Sequence, residues 1–131
     1  MKEVTKQLIK NFKIYERGLD FMGYYQRKGD IPTFHHYLIA NRYGGPYSYE
    51  NGVILFTTPH QYLHVIEAHD YHKFSLITSE MHDMKIKRYL DDENLEHIGE
   101  ILSEFEYKNR DRYTRKGKRL IRSEYLERLY K

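Results

Sequence analysis

Four of the eight histidines in this 131-residue chain lie between residues 34 and 67, and their spacing suits metal binding. His35 and His36 are adjacent, whereas His60 and His64 are four residues apart. Residues four apart share one face of an α-helix, so the imidazoles of His60 and His64 would point the same way. Imidazole is a common ligand of divalent metals, and an unliganded imidazole is a base near neutral pH. The pattern therefore predicts a metal site with a proton-accepting group beside it.

Local signals indicate which elements must position these histidines. Gly44-Gly45 indicates a loop, and residues 52–57 (GVILFT) are typical of a short buried strand. Thr58 is expected to cap the following helix, with Pro59 at the first helical position and Gln61 completing a capping box. The sequence thus predicts a strand that leads directly into the helix carrying His60 and His64.

The histidine pair is expected on an earlier strand, where neighbouring side chains point to opposite faces. One of His35 and His36 would then face the metal-binding helix and the other the substrate, unless a local twist brings both toward one cleft. Simpler interpretations exist for every group: the pair could be core or surface imidazoles, His60 and His64 a capping residue and a packed aromatic, and Asn51-Gly52 a hairpin turn. The other four histidines are interpreted as structural or solvated: His69, His72, His82 and His97.

In content and order, residues 32–67 resemble the HNH nuclease motif, the ββα-metal fold of colicin DNases and of many phage and mobile-element endonucleases. The intervals of nine residues from Asn51 to His60 and four from His60 to His64 are similar to those of the colicin type. The family's cysteine pairs and the proline that often follows its histidine pair are absent, with Ile39-Ala40 in that neighbourhood. The matching parts are His35-His36, Gly44-Gly45, Asn51, His60 and His64.

The resemblance implies a metal-dependent endonuclease that hydrolyses DNA phosphodiester bonds. It implies that His35, His60 and His64 hold one divalent metal ion, and that His36 is the general base. Asn51 would brace the loop between the strands and help to orient His36. Ligand softness favours zinc or nickel over magnesium at a histidine-only site, but manganese and magnesium stay open as working ions. The alternative is a non-catalytic, metal-stabilised module that binds nucleic acid or a partner protein.

Length and periodicity predict one α+β domain over residues 1–131. The resemblance implies that this domain is built around the ββα-metal motif. The absence of cysteine excludes disulfides and thiol catalysis. Asp70 is expected to cap one C-terminal helix, and a second should begin near Asp92. The predicted parts are an N-terminal helix over 2–17, the core motif over 32–67, C-terminal helices over 70–106, and a basic tail over 107–131 with a short last helix over 123–130.

Charge is distributed unevenly along the second half of the chain. Residues 91–106 hold seven acidic residues and no Lys or Arg, and residues 107–131 hold ten basic residues against three acidic ones. The basic tail is either a solvated surface or a phosphate-binding one, for which the candidates are Arg115, Lys116, Lys118 and Arg119. DNA is the expected partner, and a homodimer stays open. Because no apolar run or signal peptide is apparent, no membrane contact and a cytoplasmic location are expected.

Overall fold

The computed structural model describes the backbone of residues 1–116, and the side chains of residues 1–105 and of Tyr107. It has a mixed α+β fold, in which an antiparallel two-stranded hairpin is flanked in sequence by helices, as predicted. The predicted last helix over 123–130 lies outside the described residues. The elements in chain order are α1 (Glu3–Asn11), α2 (Ile14–Arg17), β1 (Pro32–His36), β2 (Gly52–Phe56), α3 (Thr57–His69), α4 (Tyr71–Tyr89) and α5 (Asp92–Lys116).

The prediction of one continuous N-terminal helix over 2–17 is wrong. The chain breaks between α1 and α2 at Lys13, which has a left-handed backbone with φ of 54°. Phe12 and Ile14 flank the break, and both are almost completely buried. On a straight helix of 3.6 residues per turn, the side chains of two residues at this spacing would point in directions about 200° from each other. The break therefore lets both side chains enter one core.

The hairpin is the centre of the fold. β1 pairs with β2 in a register that sets His35 opposite Val53 and His36 opposite Gly52. Every residue of β2 is buried, and both α1 and α3 contact the hairpin. A Cβ atom on Gly52 would collide with the ring of Phe34. Glycine at this position therefore lets that ring lie across the strand beside His36.

A long connection, residues 37–51, joins the two strands. It contains a short 3-10 helix at Asn41–Tyr43, followed by Gly44, whose φ of 84° suits glycine. A Cβ atom on Gly45 would collide with the carbonyl of Ile39, so the Gly-Gly pair allows the connection to fold closely on itself. With these bounds, the connection is much longer than the two-residue turn that the Asn51-Gly52 pair alone would indicate.

The start of α3 differs from the prediction. The helix begins at Thr57, so its cap residue is Phe56, which makes no side-chain cap hydrogen bond. The prediction of a capping box that starts at Thr58 is therefore wrong. Pro59 consequently lies third in the helix rather than first. Asp30, from the turn before β1, supplies the acceptor: its Oδ1 atom receives hydrogen bonds from the Thr58 backbone N–H at 3.1 Å and from the Thr58 hydroxyl at 2.6 Å. The helix end is thus satisfied by a residue distant in sequence.

The C-terminal helices begin where the sequence predicted. The Asp70 carboxylate accepts a hydrogen bond from the Lys73 backbone N–H and caps α4, and α5 begins at Asp92. α5 continues beyond residue 106 to Lys116, so the first part of the predicted basic tail is helical. Within the part of the chain described here, no helix combines the length and apolar character needed to cross a membrane.

A buried lysine ties α4 to the hairpin. The Lys85 ammonium donates to the Gly52 carbonyl at 2.6 Å and to the Tyr49 carbonyl, and it faces the rings of Tyr37 and Tyr49 at 5.2 and 5.0 Å. Burial lowers the pKa of Lys85 to about 7, against the opposing influence of the Glu50 carboxylate. Lys85 thereby holds the end of the long connection against α4.

Candidate metal centre

Three histidines from two elements converge on one cleft. His35 lies in β1, and His60 and His64 lie one turn apart on α3. One ligand nitrogen from each lies within 4.8 Å of the other two, so the group could hold a metal ion. The burial is graded: His35 is buried, His60 is half-buried and His64 is exposed. The cluster is therefore anchored in the core on one side and open to solvent on the other.

Hydrogen bonds to the outer nitrogens set the tautomers of the two helix histidines. The Thr33 hydroxyl donates its one proton to the Leu55 carbonyl at 2.6 Å, so it accepts from His60 Nδ1, 2.8 Å away. The Glu67 carboxylate accepts from His64 Nδ1 at 3.1 Å. Each imidazole then presents an Nε2 lone pair, as a metal ligand must. His60 Nε2 lies 3.2 Å from His35 Nδ1, within the cluster.

The electrostatics of the cluster favour the neutral form of His60. Burial, followed by the charges that His64 and His36 carry when protonated, lowers the pKa of His60 from 6.5 to about 4. A histidine must be deprotonated to bind a metal, and protons compete with the ion at low pH. At neutral pH, His60 therefore needs to lose no proton before it binds an ion.

His36 lies at the end of β1, on the opposite side of the strand from His35. Its ring contacts Phe34 and Tyr47 edge-on, with centroids 4.7 and 4.4 Å apart, and its exposed fraction is 8%. His36 nevertheless borders the cleft that the metal cluster lines, which has a volume of about 290 Å³. The two histidines thus face different neighbours but share one cleft.

The bracing contacts expected of Asn51 are present. Its Oδ1 atom accepts from the Ile39 backbone N–H at 2.8 Å, and its amide nitrogen donates to the carbonyls of Ile39 and Pro46, both at 3.0 Å. The side chain is completely buried. Its own backbone carbonyl accepts from Tyr37, the residue after His36. Asn51 therefore ties both ends of the long connection together next to His36.

Two residues of the cleft, Glu67 and Arg42, were missed by the sequence analysis. Glu67 bridges His64 and the Arg42 guanidinium, which lies 3.5 Å from its second carboxylate oxygen. The side chain of Arg42 is 53% exposed, so it stays accessible from the cleft. Glu67 follows His64 by three residues on a helix, a spacing that could have identified it. Arg42 lies in an irregular loop and carries no comparable signal.

The remaining predicted site residues lie where side chains are not described. Arg115 and Lys116 belong to the last turn of α5, of which only the backbone is described. Lys118 and Arg119 lie outside the described residues. The phosphate-binding role of these four residues stays a prediction.

Two histidines outside the cluster, His82 and His97, make structural contacts. His82 is buried on α4, and its Nδ1 atom lies 3.0 Å from the Tyr37 hydroxyl. His97 pairs with Glu50 at 3.0 Å, which links α5 to the long connection. These contacts agree with their interpretation as structural residues.

Comparison with models of protein families, with curated proteins and with solved structures found no match for this chain. The interpretation of the cleft therefore depends on its own geometry and chemistry.

Proposed function

We propose that this protein is a metal-dependent endonuclease of the HNH type, which hydrolyses phosphodiester bonds of DNA. In this proposal β1, β2 and α3 form the ββα-metal motif. One observation carries it: a three-imidazole cluster and a separate, fourth imidazole border the same small cleft. A metal site and an adjacent base are the two requirements of metal-assisted phosphodiester hydrolysis.

His35, His60 and His64 would hold the ion, and their chemistry fits this role. All three ligand nitrogens lie close together, and the outer nitrogens of His60 and His64 are hydrogen-bonded by Thr33 and Glu67. Such outer contacts are usual for metal-binding histidines because they fix the ring orientation. When bound, a divalent ion would supply Lewis-acid stabilisation of the charge that develops on the phosphate and on the leaving 3′-oxygen.

His36 would accept the proton of the attacking water. As the water oxygen bonds to phosphorus, its proton passes to the imidazole, and the bond to the 3′-oxygen breaks. Asn51 would keep the connection that follows His36 in place, since it bonds Ile39 and Pro46 within it. Arg42, exposed at the cleft, is suited to bind a non-bridging phosphate oxygen because guanidinium recognises phosphate with paired donors.

A second candidate is a metal-stabilised binding module without catalysis. The observation in its favour is the burial of His36, whose ring packs between Phe34 and Tyr47 with 8% of its surface exposed. A histidine packed in this way could serve only to hold the end of β1. The two candidates differ in whether the loss of this imidazole affects cleavage.

The deciding experiment measures cleavage of supercoiled plasmid in magnesium, manganese, nickel or zinc by the parent protein and by His36→Ala. General bases typically contribute about 10²-fold to 10⁴-fold in rate, so His36→Ala should lose activity by this order while it keeps its metal content. His35→Ala should lose metal and activity together. His69→Ala is the matched control, because this exposed residue of α3 does not line the cleft.

Two outcomes would refute the nuclease. Either His36→Ala cleaves as fast as the parent, or the parent cleaves neither DNA nor RNA with any of the four ions. The metal site has its own test, in which His60→Ala and His64→Ala should bind about one equivalent of metal less tightly in calorimetry. Unchanged binding by both variants would show that the ligand assignment is wrong.

A further inference from the structure

A row of lysines runs along α1, separate from the metal cleft. Lys2, Lys6 and Lys10 are spaced by four residues, and Lys13 follows at the break before α2. All four side chains are exposed. Residues four apart lie on the same face of a helix, so the first three form one row about 12 Å long at 1.5 Å per residue. The row is therefore a continuous basic surface rather than scattered charge.

The lysine row carries uncompensated positive charge. Residues 2–13 contain these four lysines and one acidic residue, Glu3. Among the described residues, the three salt bridges join other groups and none involves a lysine of the row. Glu16 on α2 is the other carboxylate nearby, where it lines a shallow depression with Lys6, Lys10 and Lys13. The surface keeps a net positive charge even with both carboxylates counted.

The opposite face of α1 is already occupied. Leu8 and Ile9 are buried in the core, with exposed fractions of 0% and 6%. An amphipathic helix that lies in a lipid surface inserts its apolar face between the headgroups. In the folded protein this face of α1 is not accessible, so the lysines suit a polyanion that binds through its charges alone.

The first lysine of the row, Lys2, contacts an aromatic residue beside the cleft. The Lys2 ammonium lies over the ring of Tyr47, 4.2 Å from its centroid, and that ring contacts His36 with centroids 4.4 Å apart. Tyr47 is 45% exposed and lies between the lysine row and the cleft. An exposed aromatic ring beside basic groups is the arrangement on which nucleic-acid bases stack.

We propose that the lysine row of α1 binds the sugar-phosphate backbone of a nucleic acid and directs the strand over Tyr47 to the cleft. Lysines four residues apart lie about 6 Å from each other along the helix, so neighbouring lysines of the row can contact different phosphates of one strand. The direction of the strand rests on the proposed nuclease function. The binding surface itself rests on α1 and can be tested without cleavage.

The test compares two triple variants with the same change in net charge. Lys6→Gln, Lys10→Gln and Lys13→Gln together remove the row but leave Lys2 on Tyr47, so the contact beside His36 is kept. The control combines substitutions to Gln at three exposed lysines outside α1: Lys28, Lys73 and Lys87. Binding to a duplex oligonucleotide is measured by fluorescence anisotropy with EDTA, between 50 and 300 mM salt, after circular dichroism has verified folding.

Each phosphate contact contributes about 0.9 to the slope of log affinity against log salt for duplex DNA. If all three lysines contact phosphates, the α1 variant should lose about 2 to 3 from this slope, and the control should lose less than 1. A parental slope in the α1 variant, or an equal loss in the control, would overturn the proposal. So would loss of binding to anionic phosphatidylserine vesicles with DNA binding unchanged, because the row would then serve a membrane surface.

A second measurement separates this proposal from the nuclease. Bis(p-nitrophenyl) phosphate is a small diester that, when bound in the cleft, does not extend to α1. The α1 variant should hydrolyse it as fast as the parent, whereas plasmid cleavage at 150 mM salt should fall at least tenfold. Slower hydrolysis of the small diester would mean that the lysines support the fold of the cleft, which would overturn the proposal. If the parent cleaves nothing, the nuclease fails, and the slopes still decide whether α1 binds DNA.

Discussion

Removal of a single hydroxyl tests whether the hydrogen bond between Thr33 and His60 prepares the cluster for metal. Thr33→Val keeps the shape of the side chain but removes the acceptor that lies 2.8 Å from His60 Nδ1. It also removes the donor to the Leu55 carbonyl. Without this acceptor, the proton of His60 is no longer held on Nδ1. It can then move to Nε2, the atom that would bind the ion.

The size of the effect follows from the contacts that are lost. A buried donor without its partner costs about 1 to 3 kcal/mol, and His60 is half-buried, so the metal-bound state should lose about 1 to 3 kcal/mol. At 1.4 kcal/mol per factor of ten, this corresponds to roughly 5-fold to 150-fold weaker binding. Loss of an outer contact to a metal-binding histidine typically costs about 10-fold to 100-fold, which lies within that range.

Competition with a chelator of known affinity, using zinc and then nickel, measures the dissociation constants at pH 7.5. Thr33→Ser is the positive control because it keeps the hydroxyl. Thr78→Val is the matched negative control, since this buried α4 hydroxyl has no hydrogen-bond partner among the described residues. Thr33→Val with parental affinity would refute the tautomer argument, and an equal loss in Thr78→Val would show that the effect is a general response to the substitution.

Two further variants test the frame that supports the cleft. Burial lowers the pKa of Lys85 from 10.5 to about 7, so the unfolded chain binds more protons between these values and stability should rise with pH. In urea titrations from pH 7 to 9, the parent should therefore gain up to about 2.7 kcal/mol relative to Lys85→Met, and parallel pH profiles would contradict this pKa. Asn51→Asp would set a carboxylate against the carbonyls of Ile39 and Pro46. It should lower the free energy of unfolding by about 3 kcal/mol or more, and a loss under 1 kcal/mol would mean that the brace is weak.

Local signals were sufficient for the parts of this protein that depend on neighbours in sequence. The helical repeat places His60 and His64 on one face whatever else the chain does. The Asp70 cap and the start of α5 at Asp92 were likewise predictable, because a cap acts within three or four residues. The order of strand, loop, strand and helix also followed from local patterns.

Other features depended on the tertiary structure because their partners are distant in sequence. The break at Lys13 arises from a core that takes in both Phe12 and Ile14, and the start of α3 depends on Asp30. Helical periodicity and local capping signals cannot register either influence. The sequence predicted a helix and a cap at these places, and the packing of the whole chain changed both.

The site itself divides in the same way. Residue type and helical spacing by themselves predicted that His60 and His64 could bind a metal together, but they left open which of His35 and His36 would join them. The resemblance to the HNH motif implied that His35 is the third ligand. Only the tertiary structure decided that β1 lies against α3 with the His35 and His60 nitrogens 3.2 Å apart. It also decided that Arg42, from an irregular loop, meets Glu67 at the same cleft. Periodicity describes single elements, whereas the approach of two elements depends on the packing of all the side chains between them.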